Sequence, residues 1–144
     1  MCKVLMSIKL KYATQILNGA KTVEYRKNRF RRQNVEAIVI YTTSPIMKVI
    51  GEVKLVGMLE DRPEIIWKKI CHSGGINKMA YDDYFKGKDK AIAYMLGKVE
   101  KYENELKISD FHIHVPPQSY VYRLRRVRRK KISSNITKWR DKYQ

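Results

Sequence analysis

Gly19-Ala20-Lys21-Thr22-Val23-Glu24-Tyr25-Arg26 is the stretch from which the rest of the chain is read. It joins a helix-ending glycine to the start of a strand and sets three charged side chains at that entrance. From Lys21 to Arg26 the pattern alternates, with Val23 and Tyr25 pointing one way and Thr22, Glu24 and Arg26 the other. Upstream, Lys11 to Asn18 reads as a short helix in which Tyr12, Ile16 and Leu17 share a face, and Gly19 supplies its left-handed cap. Before that helix, Lys3 to Ile8 reads as a first strand. Downstream, a basic run from Lys27 to Arg32 follows directly, with Phe30 among its cations as a residue expected to stack on a base.

Farther along, Ala37 to Thr42 reads as a buried strand that Ser44-Pro45 breaks. Val49 to Leu59 is a longer strand in which Gly51 and Gly57 tolerate a bulge or bend. Asp61 is expected to cap a helix with Pro63 in its first turn, running to about Ser73 and stopping at Gly74-Gly75. A second helical stretch, Lys78 to Phe85, stops at Gly87. Ala91 to Lys98, Phe111 to Val115 and Tyr120 to Leu124 supply the remaining strands. Short strands with two or three inserted helices predict an α+β fold, a small and strongly bent sheet or partial barrel.

The chain has 144 residues, enough for one domain at roughly 100–200 residues per domain. Its 44% hydrophobic content can bury a single core without disulfides or a structural metal. The net charge of +17 is unevenly spread: +7 over residues 1–60, +1 over 61–120 and +9 over 121–144. Such a distribution points to a polyanionic partner, nucleic acid first and a membrane surface as the weaker rival. No run of about 18 apolar residues predicts a membrane-spanning helix. Lys3, Lys9 and Lys11 interrupt the N-terminus, which therefore lacks the apolar stretch of a signal peptide. Cys2 and Cys71 are far apart and read as reduced thiols, so a cytoplasmic location without zinc is expected.

The Gly19–Arg26 segment, the strand into Ser44-Pro45, Val49-Ile50-Gly51-Glu52, the Asp61-Arg62-Pro63 helix, Tyr84-Phe85-x-Gly87 and Pro117-Gln118-Ser119 fall in one order. This ordered set resembles the ASCH family of PUA-like domains, marked by G-x-K-x-x-E/T-x-R after the first helix. The resemblance covers residues 3–124 and implies a small bent β-barrel with short helices packed around it. Residues 1–124 are thus expected as the domain and 125–144 as a basic C-terminal extension, helical from about residue 135. Proteins of this architecture are implicated in binding RNA or modified nucleobases, some look like ribonucleases, and one bacterial group hydrolyses N4-acetylcytidine. Lys21 matches the lysine of that last group, but Glu24 stands where its threonine nucleophile belongs, so amide hydrolysis is disfavoured. Lys21 and Ser119 match the lysine and serine of the ribonuclease-like members.

Read as residues alone, Arg26 offers a planar fork to a phosphate and Lys21 a point charge, while Glu24 can accept from a base amino group. Tyr25 and Tyr41 are expected to stack on unpaired bases. With Ser119, which the resemblance implies, the expected cleft is Lys21, Glu24, Arg26, Ser119 and Tyr41. Around it, Lys27, Arg29, Arg31 and Arg32 form one cationic footprint. Arg123, Arg125, Arg126, Arg128, Arg129, Lys130 and Lys131 form another, seven cations in nine positions. The leading expectation is a nucleic-acid-binding protein that favours RNA and needs no cofactor. A ribonuclease, with a divalent metal as an optional helper, is the first alternative. A module that docks its basic tail on an acidic protein surface is the second, and no membrane partner is expected. His112-x-His114 is expected on one strand face but lacks a third ligand, and Asp82-Asp83 reads as a solvated helix face.

Overall fold

Alternating valines and isoleucines build the sheet, and the polar breaks between them set where it turns. The computed structural model of the chain describes residues 2–123. Its elements run β1 (Cys2–Ile8), α1 (Leu10–Leu17), β2 (Val23–Arg26), β3 (Val35–Thr42), β4 (Lys48–Asp61), α2 (Pro63–Ile70), α3 (Lys78–Tyr84), β5 (Ala91–Leu106) and β6 (Tyr120–Arg123). A short 3-10 helix, Ile108–Phe111, lies between the last two strands. The strands form one sheet in the order β2-β5-β4-β3-β1-β6. Among the described residues only β1 and β3 pair in parallel, and the other four ladders are antiparallel.

The sheet curls into a half-barrel, the α+β architecture expected from the sequence. Register shifts in the β4–β5 ladder fall at Val49/Gly51, Val53/Leu55 and Leu55/Gly57, so both strand glycines sit at irregularities that raise local twist. At Gly51 a side chain would lie 2.6 Å from the Glu100 carbonyl oxygen, so only a glycine lets the strands meet there. Inside the curl, Val4, Met6, Ile38, Ile40, Ile50 and Ile92 pack with Ala13, Ile16 and Leu17 of α1. On the outer face, α2 and α3 cover one end through Ile66, Tyr81 and Phe85, which meet Val23, Tyr25, Ala91 and Ala93. Phe111 covers the other end against Leu5, Val39, Tyr41 and Val49.

Three expected elements differ. Asp61 ends β4, and its carboxylate accepts the N–H of Arg62 at 2.8 Å; Arg62 takes the N-cap position without a side-chain bond. The helix stops at Ile70, short of Ser73. β5 continues past Lys98 to Leu106, because Val99 and Tyr102 still pack against the core while charged residues mask the pattern. Phe111 to Val115 is not a strand: Phe111 closes the 3-10 helix and His112 caps it at φ 59°, so the two histidines share no strand face. The expected terminal helix lies outside the described residues. Among those described, no helix is long and apolar enough to cross a membrane.

Candidate functional site

In the β2–β5 ladder Glu24 lies opposite Tyr94 and Arg26 opposite Ile92, which directs both charges to the inner face of the curl. Val23 and Tyr25 take the outer face beneath α2 and α3. The alternation expected from the sequence therefore holds, yet both faces are covered, and Glu24 is only 7% exposed. A buried carboxylate needs partners, and it has two: Arg26 Nη2 at 3.1 Å and Lys21 Nζ at 3.6 Å.

Arg26 also does something that no linear pattern announces. β2 and β6 are the two ends of the strand order, so no backbone ladder joins them. The guanidinium crosses that gap, donating from Nη1 to Ser119 Oγ at 3.3 Å and from Nη2 to the Ser7 carbonyl at 3.4 Å. Downstream, Phe30 meets Tyr120 edge-on at 4.7 Å, and the Arg32 N–H donates to the Tyr122 hydroxyl at 3.1 Å. Side chains thus close the half-barrel along a seam, and the charged network lies in it.

Lys21 is 4% exposed. Its ammonium donates to the Gly74 carbonyl and sits 5.4 and 5.5 Å from the ring centres of Tyr12 and Tyr25. Burial pushes its pKa below the ordinary 10.5; Glu24 opposes that shift, and Arg26 adds to it. The loop is fixed by backbone bonds: Lys21 N–H to the Gln15 carbonyl, and Thr22 and Val23 N–H to the Ser73 carbonyl. A side chain at Gly74 would meet the Tyr25 ring at 2.2 Å, and one at Gly75 would meet Gln15 Oε1 at 2.1 Å. The glycine pair expected as a helix stop is also the wall that lets a carbonyl reach Lys21. Arg26 Nε and Gln15 Oε1 are buried with no hydrogen-bond partner.

The expected aromatic partners mostly belong to the core. Tyr41 is 1% exposed and packs with Leu5, Val39 and Phe111 on the outer face, so its ring is not open to a base. Tyr25 lies edge-on to Tyr81 at 5.1 Å and donates its hydroxyl to the Ile70 carbonyl. Phe30 stacks on Tyr94 at 4.5 Å inside the curl. Each fails as a stacking platform for one reason: the sheet is covered on both faces.

The basic run after β2 divides. Lys27 lies over the half-buried Tyr84 ring at 4.6 Å, Arg32 over the Tyr122 ring at 4.6 Å, and Arg29 pairs with Glu60 at 3.5 Å. Arg31 is exposed and interacts with Tyr120 and Tyr122. Burial raises the Tyr84 pKa, and the nearby Arg26 charge partly offsets the shift. Burial also pushes on Tyr122, but the N–H groups of Arg32 and Arg31 and the Tyr120 hydroxyl outweigh it and hold Tyr122 below its ordinary 10. Tyr84 and Tyr122 were not singled out as site residues from the sequence. The Tyr84-Phe85-x-Gly87 string marked the former's position without its role. Arg123 lies in β6 opposite Lys3, while Arg125, Arg126, Arg128, Arg129, Lys130 and Lys131 lie outside the described residues.

Residues 6–107 match the family model for the ASCH domain. An ASCH domain-containing ribonuclease from Zymomonas mobilis is 30% identical over 94 residues, 65% of this chain and 64% of the relative. The large ribosomal subunit protein uL22 of Ureaplasma parvum is 35% identical over 85 residues, so the match spans 59% of this chain but only 27% of that protein. The crystal structure of ASCH from Zymomonas mobilis superposes with a TM-score of 0.76 at 27% identity, covering 85% of this chain and 87% of that one.

Proposed function

The chain belongs to the ASCH domain family, and from that premise we propose that it binds single-stranded RNA at the seam between β2 and β6. One observation carries this reading. Lys21, Glu24, Arg26 and Ser119, drawn from two distant parts of the chain, form one connected polar network where, among the described residues, no strand ladder joins the two ends of the sheet. The Arg26 guanidinium, the most exposed charge of that network, can grip a phosphate, and Glu24, itself paired with Lys21, positions it. Lys27, Arg29, Arg31 and Arg32 extend positive charge from the site, and the basic tail supplies more. If about six cations each neutralise a phosphate, log K falls with log salt at a slope of roughly −4.

The test is binding of a labelled single-stranded RNA of about ten nucleotides to the full chain and to Lys21→Ala/Arg26→Ala, each checked for a folded near-UV spectrum. The double variant is expected to lose at least tenfold in affinity. Unchanged binding by a folded double variant would remove the seam from the account.

Phosphodiester cleavage is the second reading, supported by the ribonuclease relative and by Lys21 itself. A lysine whose pKa lies below its usual value is a better proton donor and acceptor near neutrality. Arg26 beside Ser119 could stabilise charge on a phosphate in the transition state. This reading expects slow RNA cleavage that Lys21→Ala abolishes while tail-driven binding persists. RNA left intact with and without Mg²⁺ or Mn²⁺ excludes it. Amide hydrolysis is not proposed, since Glu24 is engaged by two cations at the position where a nucleophile would be needed.

A further inference from the structure

Beyond the Lys21–Arg26 network, the same seam holds a second built feature, which the function above uses only as a charge. Arg32 is exposed, yet its guanidinium is held 4.6 Å over the Tyr122 ring. Its own backbone N–H donates to the Tyr122 hydroxyl at 3.1 Å, which ties the segment after β2 to β6 at both ends of one residue. Tyr122 is braced in turn, edge-on to Tyr120 at 5.6 Å, and Tyr120 is edge-on to the core residue Phe30 at 4.7 Å. The guanidinium also donates from Nη1 to Cys2 Sγ at 3.9 Å, so it is held at two points while the residue stays exposed, whereas an ordinary surface arginine must give up rotamer entropy to stack.

We propose that Arg32 stacked on Tyr122 is a nucleobase subsite, which takes one unpaired base of a single-stranded RNA whose neighbouring nucleotide occupies the Arg26–Ser119 network. The proposal rests on the RNA reading above. Arginine planes and tyrosine rings are the usual platforms for splayed bases, and they tolerate any base because each has a π-face. The spacing fits. Ser119 directly precedes β6 and Tyr122 lies within it three residues on, a separation of at most about 10 Å, within the reach of one to two nucleotide steps. The subsite explains why an arginine stands here: a lysine would supply the charge but no plane.

The experiment uses the full chain and short oligoadenylates of about four to six nucleotides at physiological salt, with companion oligomers that carry one abasic nucleotide at each position in turn. Wild type, Arg32→Lys and Tyr122→Phe are compared. Arg32→Lys is expected to weaken binding about tenfold without changing the salt slope. One abasic position is expected to cost wild type a similar factor and to cost Arg32→Lys almost nothing. Tyr122→Phe keeps the ring and is expected to retain that dependence on the base. If wild type binds but Arg32→Lys binds equally well, or the abasic series is flat, the subsite is wrong while the RNA reading stands. If wild type binds none of the oligomers, the RNA reading fails and the subsite falls with it.

Discussion

Glu24 sits between Lys21 and Arg26, and Arg26 in turn holds Ser119 and the Ser7 carbonyl. At this scale the sequence was informative about charge and poor about exposure. Glu24 and Arg26 were expected on one face of a strand beside Lys21, and that is where they are. Tyr25, Phe30 and Tyr41 were expected to face a ligand, and all three are buried. A two-residue alternation says which side chains share a face; it cannot say that a helix or a second wall of the same sheet will cover that face. Phe30 makes the consequence measurable. As a core residue stacked on Tyr94, its replacement by alanine should cost about 3 kcal/mol or more in urea unfolding. A cost below about 0.5 kcal/mol would return it to the surface role expected from the basic run.

Elements were legible where their hydrophobic period was strong and unclear where it was not. β1, α1, β3 and α3 fall within a residue or two of their expected limits. The second half of β5 is hidden by its charged residues, and in the stretch after it Phe111 to Val115, expected as a strand, begins with the end of a 3-10 helix. The β2–β5 ladder also has a pH signature. Tyr25 and Tyr94 ionise near 10 when unfolded, whereas burial lifts both to about 12 in the fold. The unfolded chain loses these protons first, so stability present below pH 10 is lost as pH rises toward 12. Lys21 acts the other way: its pKa is lowered by folding, so its contribution improves with pH over an interval ending at 10.5. Urea unfolding at pH 9 and pH 11 should show a net fall that Tyr94→Phe makes shallower. An equal fall in that variant would contradict the assignment.

For the whole molecule, charge and fold divide the work. Residues 1–120 carry +8 and hold an acidic side chain within the site, whereas residues 121–144 carry +9. The order β2-β5-β4-β3-β1-β6 leaves the two end strands to be joined by Arg26, Phe30 and Arg32. No local pattern could announce that closure, because it depends on contacts about 90 residues apart in the chain. Only the resemblance to ASCH domains links Lys21 and Ser119 in the sequence, since 98 positions separate them. Removing residues 125–144 should weaken RNA binding and flatten its salt dependence while preserving any preference among sequences. Loss of preference on truncation would move selectivity into the tail.

The central claim is that the seam between β2 and β6 receives the RNA. Titration of ¹⁵N-labelled full chain with a short single-stranded RNA tests it most directly. The account predicts that the largest amide shifts fall on Lys21–Arg26, Tyr84 and Ser119–Tyr122. Shifts confined to α2 and to α3 ahead of Tyr84, or absent from the residues on both sides of the seam, would contradict it.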